Sequence, residues 1–130
     1  MNQLLSAEVI DQLAREERHF VAAPQAFFLA WKRGVGIVGH EWFGDGTREG
    51  LLRAKSRYDL RPNLLALNDA LRILSSSQGL FLSAMVSFYD VREGAAMLRC
   101  CGFEGLADLA LLDLERRQVI ADLVLNHSGW

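Results

Sequence analysis

The sequence predicts an all-α fold, a single-domain irregular or orthogonal bundle of about six helices spanning residues 1–130. Two observations carry this expectation. Apolar residues recur at helical intervals of three and four in four or five segments. Proline, glycine or serine clusters separate those segments, and over the C-terminal half no strand-like alternation competes. At 130 residues the chain is long enough for one core, and no repeat, low-complexity tract or long linker divides it.

Ser6 is placed to cap a first helix whose apolar face is Val9, Ile10, Leu13, Phe20 and Val21, with Asp11, Arg15, Glu16 and Arg18 opposite. That helix is expected to stop before Pro24, because proline disfavours helical geometry at the residue preceding it. Pro24 then suits the first turn of a second helix, read over about 24 to 33. Phe27, Trp31, Val35, Val38 and Trp42 keep a helical period, but Gly34, Gly36 and Gly39 each cost roughly 1 kcal/mol relative to alanine in a helix. Residues 34–46 are therefore the segment expected to be irregular.

Gly44-Asp45-Gly46 is a turn, and Thr47 caps a short helix read as ending near Tyr58. After Arg61-Pro62-Asn63, the spacing of Leu64, Leu67, Leu71 and Leu74 predicts an amphipathic helix hinged at Ser75-Ser76-Ser77. Leu80 to Tyr89 is apolar on most sides and reads as the central helix. Asp90 and Glu93 resemble a capping box opening a helix through Cys100 and Cys101, closed by Gly102. A short helical turn follows around 105–111, and Asp113 begins a last helix carrying Leu114, Ile120, Leu123 and Val124. Phe103 follows Gly102 as Trp130 follows Gly129, so each aromatic is expected to fold back on its own helix, on Leu98 and Leu125, in a Schellman-type cap.

Composition bounds the function. Taking the two tyrosines out of the 51% apolar class and adding the eleven glycines gives an apolar share of about 58%, above the roughly 45–50% of ordinary soluble domains. The surplus implies a covered surface, either a self-association interface or a groove for a partner. A net charge of −2 argues against a protein built as a whole to coat nucleic acid or an acidic membrane. The start, Met1 to Ser6, carries no basic leader pattern, and no apolar run approaches the ~18 residues of a membrane span. The only cysteines are adjacent and cannot staple distant segments, which fits a reducing compartment of the bacterial-cytosol type.

Several motifs invite a chemical reading. Gly34 to Gly39 matches G-x-G-x-x-G, yet the strand before and the helix after that a dinucleotide site needs are missing. His40 and Glu41, with Asp45 nearby, hold the ingredients of acid–base chemistry and define the reading as a small enzyme. Three scattered histidines argue against a metal site, and nothing in the sequence asks for a cofactor. Cys100 and Cys101 read as buried apolar side chains in their helix. Arg48, Arg53, Lys55, Arg57 and Arg61 crowd together, Arg53 and Arg57 share one helical face, and a chain that carries Arg61 in the same direction lines up three guanidinium groups for phosphates or an acidic partner, which defines a nucleic-acid-associated accessory factor. A helix-turn-helix over 48–74 lacks a polar recognition helix. The reading placed first is a non-enzymatic helical binding protein that acts through protein–protein contact and self-associates through its surplus apolar surface.

Overall fold

The computed structural model describes residues 5–130; Met1 to Leu4, on which part of the leader reading falls, lie outside the described residues. Six α-helices make up the fold: α1 Ala7–Val38, α2 Arg48–Arg53, α3 Leu64–Ala70, α4 Ser76–Tyr89, α5 Val91–Cys100 and α6 Leu114–Asn126. Turns of 3₁₀ helix at His40–Trp42, Arg57–Leu60 and Leu106–Leu111 join them. Among the described residues the only extended pairing is one isolated bridge between Phe43 and Pro62.

The two helices expected on either side of Pro24 are one helix. Ser6 caps it as read, its Oγ accepting from the Val9 N–H at 3.2 Å. Proline inside a helix removes the donor to the carbonyl four residues back, here that of Phe20. The turns that follow compensate, because Ala23, Phe27, Phe28, Ala30 and Trp31 are all buried. The glycines do not end the helix either. A side chain at Gly34 would lie 2.7 Å from the Met85 Sδ and 3.1 Å from a Val119 methyl, so its bareness lets α1 sit close to both α4 and α6. The helix stops only at Gly39, whose φ of +126° no other residue adopts readily and whose N–H bonds to the Val35 carbonyl. The irregular segment is thus 39–46, shorter than expected.

Helix α6 runs antiparallel along the second half of α1: Gly34 faces Val119, and Phe27 meets His127. An ion pair of 2.8 Å between Arg33 and Asp122 flanks the contact. Helix α4 is the most buried, with Leu80, Phe81, Leu82, Met85 and Val86 all in the core, as its apolar composition implies. Its start is a reciprocal capping box in which Ser75 and Gln78 satisfy each other's backbone amides, so the serine cluster read as a hinge is a helix beginning.

Asp90 ends α4 and caps α5, accepting from the Glu93 N–H at 3.0 Å. Gly94 then packs so tightly on Ser87 that an added side chain would meet its Cα at 2.3 Å. At the end of α5 the Gly102 N–H bonds to the Arg99 carbonyl and the Phe103 N–H to the Leu98 carbonyl, the paired bonds of a Schellman cap. Phe103 packs against the core with Leu98, as expected.

Trp130 behaves differently. Helix α6 ends at Asn126, His127 is extended with φ −70° and ψ 127°, and the chain travels onward instead of folding back. Leu125 remains 64% exposed, and the indole lies among Trp31, Tyr89, Phe27 and Tyr58. The cap expected on Leu125 is absent because the left-handed Gly129, φ +105°, comes three residues after the last helical one, too late for Schellman geometry.

Candidate functional site

The three arginines read as one basic line are set apart by the fold. Helix α2 ends at Arg53, where Lys32 Nζ donates to the carbonyls of Leu52 and Ala54, both at 3.3 Å. The chain restarts in a 3₁₀ turn held by Asp59, whose carboxylate accepts from the amides of Lys55 and Ser56. These bonds hold the Asp59 carboxyl below its ordinary range. Arg53 and Arg57 therefore share no helical face. Arg53 stands in solvent 3.8 Å from Glu49. Arg57 turns inward, its guanidinium carbon 5.3 Å from the Phe27 and Tyr58 ring centroids and 5.6 Å from that of Trp130. Arg61 stacks on Tyr58 at 5.4 Å.

Around Arg57 lies an aromatic cluster drawn from four separate stretches of chain: α1, the 3₁₀ turn at Tyr58, the end of α4 and the segment after α6. Trp31 anchors it, donating its indole N–H to the Leu60 carbonyl at 2.8 Å and meeting Trp130 edge-on at 4.8 Å. His127 stands 5.5 Å from Phe27 and 5.4 Å from Phe88. Partial removal from water on the side facing the rings, and secondarily the Arg57 charge, push its imidazole below the usual histidine range. No periodicity in the sequence reports this cluster, because its members meet only through tertiary packing. Rings fill it, and Arg57 Nη1 and Trp130 Nε1 are enclosed in it without acceptors.

His40 and Glu41 occupy the 3₁₀ turn after α1. The Glu41 carboxylate folds over Gly39, where a side chain would meet it at 2.8 Å. Asp45 is engaged with Thr47, accepting from its hydroxyl at 2.7 Å and its amide at 2.9 Å, bonds that lower its carboxyl pKa. Neither Asp45 nor Glu41 is hydrogen-bonded to His40. The glycine motif also offers no phosphate cradle, since Gly34 to Val38 lie in the last turns of α1 with their amides directed along the helix. Cys100 is exposed, contrary to its reading as a core residue, because α5 turns that side outward. Cys101 is half-buried beside Ser83 and both thiols are free. Among the described residues no three of His, Cys, Asp and Glu gather in one place.

Two apolar surfaces stand out. The first is the outer half of α1. Its buried stripe of Phe27, Trp31 and Gly34 continues toward the N-terminus at the same helical spacing through Phe20, Leu13 and Val9. Residues 5–22 contain no buried side chain, and Phe20 is 66% exposed. The apolar face read in the sequence is therefore exposed over residues 5–22 instead of packed on a neighbouring element. The second is a groove of about 720 Å³ between the Leu106–Leu111 turn and α6. Leu106, Leu109, Ile120, Ala121 and Val124 line it, with Arg117 as its single charged member. The two surfaces adjoin, for His19 Nε2 donates to the carbonyl of Leu125, on the groove's edge, at 2.9 Å.

No family model, curated protein or solved structure matches the chain. Among the described residues no helix is long and apolar enough to cross a membrane.

Proposed function

We propose that this chain is a non-enzymatic helical binding protein that acts by docking another protein against its exposed apolar surface. The observation that carries this is the stripe on α1, which runs from the core at Trp31 outward through Phe20 and Leu13 to Val9, interrupted only by Glu16, and among the described residues has no buried side chain over residues 5–22. Isolated helices gain most of their stability in proteins from packing an amphipathic face. A projecting helix that keeps such a face is built for a partner to complete it. The adjacent free cysteines support a reducing, cytoplasmic setting.

The test uses the tagged chain and its Leu13→Glu, Phe20→Glu variant, carried through identical purification from the native source. Both side chains face solvent, so the variant is expected to melt with the unmodified protein. Proteins retained by the first and lost from the second, then rebound as purified components, are the expected result. Identical sets from both chains would overturn the proposal.

A further inference from the structure

We infer that the partner for this surface is a second copy of the chain: the outer half of α1 from each protomer lies in the groove beside α6 of the other. The inference rests on the docking role proposed for the α1 face and names its occupant.

Three observations select a second copy. First, the surfaces match in chemistry and form. The arm is a single helix with an apolar stripe, and the groove is an open trough lined by leucine, isoleucine, valine and alanine. Leu106 at its rim is 80% exposed and Val124 62%.

Second, each surface carries one complementary charge. Glu16 lies in the stripe between Leu13 and Phe20, and Arg117 is the one charged residue lining the groove. Among the described residues neither forms an ion pair: Glu16 accepts only from Gln12, and Arg117 donates only to the carbonyls of Leu112 and Ala110. An acid set in an apolar stripe and a base set in an apolar trough satisfy each other when the two surfaces meet.

Third, the geometry closes. The arm is one continuous helix with the half of α1 that packs on α6, and it is held beside the groove's edge by the His19 to Leu125 bond. A two-fold axis that seats one arm necessarily seats the other, so the contact is self-completing and leaves no open end.

Sedimentation velocity of the full chain over a micromolar to near-millimolar series, combined with directed disulfide cross-linking, tests this. The unmodified protein is expected to sediment as a dimer at the upper concentrations, and the Leu13→Glu, Phe20→Glu variant as a folded monomer throughout. In a Cys100→Ser, Cys101→Ser background, a mixture of Leu13→Cys chains and Val124→Cys chains should, on oxidation, give mainly the mixed dimer, and Leu13→Cys chains alone should cross-link little. A wild-type chain that stays monomeric at every concentration overturns the inference. So does a dominant 13-to-13 cross-link, which means that the arms pair with each other. A monomeric chain that still captures a purified partner through Leu13 and Phe20 sinks the self-pairing and leaves the docking role standing.

Discussion

The guanidinium carbon of Arg57 lies 5.6 Å from the centroid of the Trp130 indole, so the 3₁₀ turn after α2 and the segment after α6 are joined by a stacked cation. Phe27 of α1 takes part from below, 5.3 Å from the same carbon. A residue that reads as surface charge in the sequence thus acts as a tie between three stretches of chain.

Arg57→Ala should therefore destabilise the fold, where a solvated arginine would be nearly neutral. Partly desolvated cation–π contacts contribute about 1–2 kcal/mol. In a domain of this length that is a drop of roughly 3–6 °C in melting temperature. Arg53→Ala, made alongside, should leave the melting temperature almost unchanged, because Arg53 stands in solvent with only an exposed ion pair to Glu49 at 3.8 Å.

Trp130→Ala should cost about 2 kcal/mol, since the half-buried ring packs 4.8 Å from Trp31 and 4.9 Å from Tyr89. Leu125→Ala should change little. Calorimetric melting of both variants separates the aromatic cluster from a cap on α6, for which the two losses would be similar.

These tertiary ties mark the boundary of what the sequence reveals. The caps were legible: Ser6, Thr47, Asp90 and Asp113 begin helices as their side-chain chemistry implies, and Gly102-Phe103 ends one. A cap is a local bond between residues three apart, so local reading finds it. Pro24 was misleading because its cost is local while its compensation, the burial of Phe27 and Trp31, is tertiary. The apolar face of α1 was legible as a face, but spacing does not tell whether the cover comes from the same chain. Arg57 and Trp130 share no periodic signal, being 73 residues apart with no common element.

Acidification should weaken the fold in a window set by His127. Its imidazole titrates below the ordinary value of 6.5, so the unfolded chain binds a proton more readily than the folded one. Stability is full above about pH 6.5, falls as pH drops toward the lowered folded value, and levels off beneath it. The lowered carboxyls of Asp45, Asp59, Asp108 and Asp113 act only in the more acidic range below about pH 4. Melting temperatures from pH 8 to pH 5 should decline for the unmodified chain and be flatter for His127→Gln. An equal decline in both would remove His127 as the cause.

Two glycine-to-alanine changes should have opposite signs. At Gly94 the new methyl would meet the Ser87 backbone at 2.3 Å, which must move, at a cost of about 1–3 kcal/mol. At Gly36 nothing lies within 4 Å, and alanine in the helix should add about 0.5–1 kcal/mol. Chemical denaturation of the two variants checks both.

The central claim, that the outer face of α1 is a docking surface, is tested most directly by placing a photo-cross-linking side chain at Leu13 and irradiating the full chain in its native cells. Leu13 lies on the exposed stripe, and Arg15 on the opposite side of the helix is the matched control. The account predicts a discrete cross-linked protein from position 13, whether this chain or another, that is absent from position 15 and lost when Phe20→Glu is added. Equal and diffuse labelling from both positions would contradict it.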